Sequence, residues 1–417
     1  MNVLHFGWLA VGVLCSANNM KILQYCGFIP IVGATGGAER VFCNMANALT
    51  VRRHEVYAVC NDACSGQPAF PLDDRVRFIN LNSSVSRKFT PSRRRMGRWL
   101  RCIAKETWDR YIVFPLLEKK GEPLVQLIRE VQPDAVILYF ANDYLSMSRQ
   151  PVLDVPVILM LHENAETFAG YTDSSGRAAK INKCPHLQVM QRSFIPKIQK
   201  IYRGSIHVIP NTVPQIEEKD LAVLTAEKTQ RTITMVSRIE KAKQQHLLIQ
   251  AFEQLAKDYT EWKVEIYGSL SDHGYPRKLK EMITSLGLIG RVELMGTTDC
   301  PLDVLRNADI CAFPSSAEGF GLALAEAMAV GLPCVGLKTT SSVNELIVDG
   351  VNGFLADSTP EDFAAKLKIL MDDQNLRAKM GKAGHEMMKQ YAPEKVWDQW
   401  ENLITEVVQQ HRQHRAV

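Results

Sequence analysis

At 417 residues the chain is too long for one ordinary core and long enough for two domains of about 200 residues. Hydrophobic content of 46% and charged content of 23% are those of a soluble globular protein, and the net charge of +4 hides an asymmetry. Residues 1–200 hold 25 Lys and Arg against 16 Asp and Glu, whereas 201–417 hold 24 against 29, so only the first half is suited to an anionic surface. The ten cysteines are scattered, mostly in apolar runs (Cys43, Cys102, Cys311, Cys334). They form no CxxC pair, and Cys60/Cys64 has no matching His or Cys cluster. That pattern argues against disulfides and zinc and for buried, reduced thiols in a cytosolic protein.

From Val3 to Ala17 the chain is apolar, but the run is only 15 residues long and no Lys or Arg precedes Lys21. It is too short for a membrane span and lacks the charged start of a signal peptide. We expect residues 1–19 to be an upstream extension from a misplaced start codon or a weak membrane-associating leader. Residues 21–29 read as the first core strand. Gly33-Ala-Thr-Gly-Gly-Ala-Glu-Arg40 follows, then a helical pattern through Leu49. Such a strand–glycine loop–helix unit can bring backbone N–H groups against a phosphate, or can be only a tight turn that needs glycine, and the full GxGxxG fingerprint is absent. Further strands are expected at 55–60, 76–81, 135–140 and 157–161. Strands alternating with helical segments predict an α/β fold with a mainly parallel, doubly wound sheet.

An Arg-rich stretch with interleaved aromatics, 87–120, interrupts this alternation. At 100° per residue, Arg98, Arg101 and Lys105 fall within about 40° of Arg94, while Met96, Trp99, Leu100 and Ile103 lie opposite. Trp108 returns close to the basic side. The segment is either a solvated surface helix or a helix that docks on an anionic bilayer. Nucleic acid is disfavoured, because no reading motif accompanies the charge. The strand at 157–161 ends in His162-Glu-Asn164, at the carboxyl edge where α/β folds place ligands. A short strand within 203–213 ends in a turn, and the hinge is placed between 196 and 231.

In the second half, strands are expected at 233–237, 264–267, 292–295, 309–313 and 333–336. Arg238 and Lys243 follow the first of these. Two cations converging beside a helix start suit a diphosphate. The stretch 313–331 carries the densest signal. Gly319 and Gly321 permit a tight turn and a close approach to a ligand, and a helix begins near Leu322, where free amides and the helix dipole favour an anion. Glu318 precedes that helix. Glu326 lies inside its apolar run, where an unpartnered charge would be costly. Together they suggest a site for a phosphorylated, hydroxyl-rich ligand. The last segment, 393–408, is amphipathic through Val396, Trp397, Trp400, Leu403 and Val407.

Glu318 and Glu326 around Glu-Gly-Phe-Gly, Arg238 with Lys243, Pro210-Asn211-Thr-Val213, Gly36-Gly37-Ala-Glu39 and Asp349-Gly-Val-Asn-Gly-Phe-Leu355 occur here as an ordered set. That set resembles the retaining glycosyltransferases of family four (glycosyl transferases group 1), from about Met20 to 400 and most strongly over 232–357. The resemblance implies a GT-B fold of two Rossmann-like domains facing across a cleft. It places an acceptor- and membrane-facing domain at 20–200, a nucleotide-sugar donor domain at 201–390, and a helix at 391–417 that crosses back. It implies that Glu318 contacts the transferred sugar as the more sensitive catalytic carboxylate and that Glu326 binds the ribose. Arg238 and Lys243 would hold the diphosphate with the amides of Gly319, Phe320, Gly321 and Leu322. Gly36 and Gly37 would come near the donor phosphate, and His162 would lie near the reacting sugar. Two departures bear on donor identity: Thr340-Ser-Ser-Val-Asn-Glu345 stands where glycines are frequent, and Gln244 follows Lys243 where the family often has Gly.

The expected reaction is metal-independent transfer of a sugar from a nucleotide-sugar, with retention, onto a glycan or lipid-linked saccharide. Lipopolysaccharide, capsule or exopolysaccharide synthesis on the cytoplasmic face of the inner membrane is the natural setting. The competing readings are a GT-B-fold nucleotide-sugar epimerase and a non-catalytic binding subunit.

Overall fold

The computed structural model describes residues 19–81, 113–147, 154–172, 175–224, 227–270 and 274–416. The segment at 94–108, with Arg94, Arg98, Arg101, Lys105 and Trp108, and nearly all of residues 1–19 lie outside the described residues.

Two parallel sheets organise the chain. The first contains β1 (Lys21–Cys26), β2 (Glu55–Cys60), β3 (Arg77–Asn80), β4 (Ala135–Leu138), β5 (Val157–Leu161), β6 (His186–Val189) and β7 (Ser205–Val208), in the order β3-β2-β1-β4-β5-β6-β7. The second contains β8 (Arg231–Val236), β9 (Trp262–Tyr267), β10 (Val292–Gly296), β11 (Ile310–Phe313), β12 (Cys334–Leu337) and β13 (Gly353–Ala356), in the order β10-β9-β8-β11-β12-β13. Central strands such as β4 and β11 are buried at every position, as expected for parallel strands covered on both faces by helices.

Several strand limits differ from the sequence reading. β1 stops at Cys26 because Gly27 leaves the ladder and donates its amide to Asp143 Oδ1, 3.2 Å away, ahead of Pro30. β6 and β13 are additions to the strands expected from the sequence. β7 pairs with β6, so the first sheet runs to Val208 and the domain boundary drawn at 200 moves beyond it. Residues 205–208 supply the ladder partners that would otherwise leave β6 as a bare edge.

In both sheets strand order reverses beside the first strand, at β1/β4 and at β8/β11. Ligand sites in open α/β sheets form outside the carboxyl ends of the strands at such points. From those ends emerge helix α1 (Gly37–Val51) after β1, α2 (Ala141–Met147) after β4, α3 (Ala165–Tyr171) after β5, α4 (Gln245–Ala256) after β8 and α5 (Leu322–Ala329) after β11. Helix α6 (Ser341–Leu346) follows β12.

Two connections join the units. One is the link after β7, where the Val213 amide donates to the Tyr391 carbonyl at 2.9 Å. The other is the last helix, α7 (Pro393–Ala416), which follows the second sheet in sequence and packs on the first. Its Val396, Trp397, Trp400, Leu403, Ile404, Val407 and Val408 are buried in one core with β1 and α1. Each such side chain contributes roughly 1.5–3 kcal/mol by leaving water. Arg52 adds ion pairs to Asp398 (2.8 Å) and Glu401 (3.1 Å).

Candidate active site in the cleft between the units

The loop after β11 carries most of the expected residues. Gly321, at φ +87°, adopts the left-handed backbone that launches α5, and glycine does this without a Cβ penalty. Gly319 is constrained differently. A Cβ there would run into the His162 carbonyl of the first unit and the Met190 methyl, so only glycine allows the two units to meet at this point. Phe320 is buried, edge-on to Tyr391 with ring centroids 5.4 Å apart. Leu322 faces the glycine loop of the first unit, where a Cβ on Gly37 would lie 3.0 Å from its Cδ1. The first amides of α5 have no acceptor within the helix, and the side chain of its first residue packs on the glycine loop.

Glu318 is held from two sides. Lys243 Nζ donates to its Oε1 at 2.6 Å, with the two side chains only 11% and 12% exposed. Ser342 Oγ donates to its carbonyl at 3.2 Å. Thr340 Oγ1 likewise donates to the Ser315 carbonyl at 2.7 Å. The hydroxyls of Thr340 and Ser342, in the segment where the resemblance leads one to expect glycines, thus anchor the loop that presents Glu318. The other departure also has a physical reading. Gln244 has φ +50°, so this chain places a side chain in a left-handed position that glycine fills at lower cost.

The two expected diphosphate cations do not converge on one partner. Lys243 is buried against Glu318, whereas the Arg238 side chain is 75% exposed and pairs with Glu240 at 3.1 Å. Across the cleft, burial raises the pKa of Glu39, and the charge of Arg238 counters that rise. Glu326 is buried, and burial pushes its carboxyl pKa up against the opposing pull of Arg40. Its partner is the Arg40 guanidinium, from the first turn of α1 in the other unit. The sequence reading assigns Arg40 no role. The available signal is a cation at the positive end of a helix, where the dipole disfavours it.

His162 lies at the carboxyl end of β5, with its ring stacked on Tyr139 (centroids 5.0 Å apart, 11° between planes) and near Phe140. Burial lowers its pKa to about 4, so the ring is neutral near pH 7. Its Nε2 is buried and has no hydrogen-bond partner among the described residues. Such an orphaned polar atom is costly unless a partner is supplied. Nearby, Asp143 accepts from the amides of Gly27 and Phe140, both at 3.2 Å. Burial raises its pKa to about 8, with Lys120 opposing.

Polar contacts also clamp the two units beside the site. Gln191 Nε2 donates to the Ser342 carbonyl at 2.9 Å, and the Glu345 carboxylate accepts from the amides of Arg192 (3.2 Å) and Ser193 (2.7 Å). Sequence reasoning passes over these contacts, because each joins positions more than 150 residues apart.

Residues 216–387 match the family model described as glycosyl transferases group 1. An uncharacterised glycosyltransferase of Haemophilus influenzae is 24% identical over 382 residues, covering 90% of this chain and 98% of its own length. An exopolysaccharide phosphotransferase of Streptomyces coelicolor is 31% identical over 387 residues, which are 89% of this chain but 40% of that protein. The solved structure of a mutant S. aureus TarM in complex with fondaparinux, alpha-GlcNAc-glycerol and UDP superposes with a TM-score of 0.71 at 16% identity over 92% of this chain and 99% of its own. Residues 216–387 are thus similar to the glycosyl transferases group 1, and the two parallel sheets facing each other across a cleft give the chain a GT-B fold.

Proposed function

We propose that this chain is a glycosyltransferase that moves a sugar from a nucleotide-sugar, with retention of configuration and without a bound metal, onto a glycan or lipid-linked saccharide. We place the reaction in bacterial surface polysaccharide synthesis, with lipopolysaccharide, capsule and exopolysaccharide as the classes of product. The enzyme would work in the cytoplasm, on the inner membrane, with the Arg-rich sequence at 94–108 as its contact. Among the described residues no helix is long and apolar enough to cross a membrane.

The observation that carries the reading is the buried Lys243–Glu318 pair at the start of α5, opposite the Gly36–Gly37 loop. UDP in the similar TarM structure supports a nucleotide donor, and the Streptomyces relative's name supports a polysaccharide product. When the anomeric C–O bond breaks, its electron pair passes to the diphosphate. Lys243, Arg238 and the α5 amides meet that charge, which the reading assigns to them in place of a metal. The acceptor hydroxyl adds to the same face, and its proton goes to a phosphate oxygen of the leaving group. Glu318, pinned by a lysine at 2.6 Å, orients sugar hydroxyls and forms no covalent bond. His162, neutral and with its Nε2 uncommitted among the described residues, hydrogen-bonds the sugar or the acceptor.

A thermal-shift screen with UDP, GDP and ADP and their sugars, followed by transfer assays on lipid extracts, tests this proposal. We expect stabilisation by at least one nucleotide and loss of transfer in Glu318→Ala. No nucleotide-dependent shift, or undiminished transfer by Glu318→Ala, would refute it.

A further inference from the structure

Arg40 crosses from the first unit to a buried carboxylate of the second, and α1 gains nothing locally from holding a cation in its first turn. Its neighbour Glu39 feels the charge of Arg238 across the same cleft. The first unit therefore supplies the partner of Glu326, the group that the donor reading assigns to the ribose. The place is also suggestive. Arg40 follows Gly37 by one turn of helix, and Gly37 sits against Leu322, whose amide belongs to the phosphate-facing start of α5. Its guanidinium is thus held on Glu326, one helical turn along α5 from the amides that the donor reading assigns to phosphate. Its side chain is 27% exposed, so donors remain open beyond those committed to Glu326. A guanidinium has five N–H donors in a planar fork that fits carboxylate and phosphate equally well.

We propose that Arg40 is a diphosphate ligand supplied by the first unit, held on Glu326 before the donor arrives and exchanged onto the donor when ribose hydroxyls take Glu326. The inference rests on the donor-site reading above and adds a partner exchange to it. Donor entry replaces one charge-assisted contact, Arg40 to carboxylate, by two: hydroxyl to carboxylate and Arg40 to phosphate. Departure of the nucleoside diphosphate after transfer returns Arg40 to Glu326.

The test is calorimetric titration of wild type, Arg40→Gln and Arg40→Lys with UDP, GDP and ADP and with uridine, guanosine and adenosine. For whichever diphosphate binds wild type, we expect Arg40→Gln to weaken it about tenfold or more, the scale of one charge-assisted hydrogen bond. The matching nucleoside should bind Arg40→Gln as well as wild type or better, because Glu326 is no longer occupied. Arg40→Lys should fall between for the diphosphate. Equal losses for nucleoside and diphosphate would mean that Arg40 only positions Glu326, and unchanged diphosphate affinity would mean that it does neither. Each overturns the exchange while leaving the donor site intact. Absence of any diphosphate binding to wild type would overturn the donor reading and this inference together. If Arg40→Gln does not fold with Glu326 orphaned, comparing Glu326→Gln with the Arg40→Gln/Glu326→Gln double variant decides the same question, again at about tenfold for the diphosphate.

Discussion

Replacing Lys243 by Met keeps the length of the stem and deletes the charge that faces Glu318 at 2.6 Å. Breaking a buried ion pair by removing one partner costs about 3–5 kcal/mol, because the surviving charge is left without compensation. The two side chains here retain 11% and 12% exposure, so some water reaches the pair and the lower end, about 3 kcal/mol, is the expected figure. The second unit is of a size at which 1 kcal/mol shifts the midpoint by about 2–4 °C, so its thermal transition should fall by about 6–12 °C. Adding Glu318→Gln removes the orphaned charge. The double variant should therefore recover part of the loss, with a coupling of about 2 kcal/mol in a double-mutant cycle measured by denaturant unfolding. All three variants should lose transfer by about a hundredfold or more, since Lys243 is also assigned to the leaving group. Stability and activity would then separate: the double variant melts higher than the summed single losses predict and stays inactive. Coupling below about 0.5 kcal/mol would show that the pair is not energetically joined. Transfer within about tenfold of wild type in Lys243→Met would remove Lys243 from the mechanism.

Gly319→Ala should cost activity while leaving both units folded, because the new methyl meets the His162 backbone and holds the cleft apart. Small-angle scattering should show a more open particle, and an unchanged profile with full activity would contradict the reasoning. His162 has its pKa lowered to about 4 from an ordinary 6.5, so the unfolded chain takes up a proton that the native ring refuses. Stability should therefore fall as pH drops from about 6.5 toward 4, by about 2–3 kcal/mol, and His162→Gln should flatten that slope. Asp143 runs the other way. With its pKa raised from 3.8 to about 8, its contribution is present below the ordinary carboxylate value and lost as pH rises toward 8. Urea titrations at pH 5 and 8 should show wild type losing about 2 kcal/mol or more relative to Asp143→Asn over that interval. Equal pH dependence of the two would refute the assignment.

How far the sequence can be read depends on how local each signal is. β1, β2, β4, β5 and β11 are near-continuous apolar runs, and their alternation with helices is enough to read two doubly wound sheets. β6 is four residues long, with His186 and Gln188 breaking the apolar pattern, and pairing with β5 and β7 rather than composition holds it in the sheet. The charge of Glu326 inside an apolar helix is visible as an anomaly. Its partner is not, because Arg40 is 286 positions away and reaches it only when the units face each other. Arg238 and Lys243 look alike five residues apart. A short 3-10 turn at Lys241–Lys243 buries one against Glu318 and leaves the other in solvent with Glu240. Burial, which distinguishes them, is a property of the fold and not of the spacing.

The contacts between the units fall into two chemical kinds, and the division bears on how a cleft of this type works. Through α7 the units are joined by buried apolar side chains, Trp397 and Trp400 among them, whose separation would expose hydrophobic surface with nothing to replace it. At the site, beside the apolar packing of Leu322 and Met190, polar contacts join the units: Arg40 with Glu326, Gln191 with the Ser342 carbonyl, and Glu345 with two amides. Breaking these costs little if a ligand rich in hydroxyls and phosphate oxygens offers equivalent partners, and much if nothing does. The apolar anchor therefore keeps the two halves in one molecule through the cycle. The polar rim can exchange its bonds only with a ligand of matching chemistry. Selectivity for a phosphorylated, polyhydroxylated donor would then arise partly from which contacts between the units it can replace, as well as from the pocket that receives it.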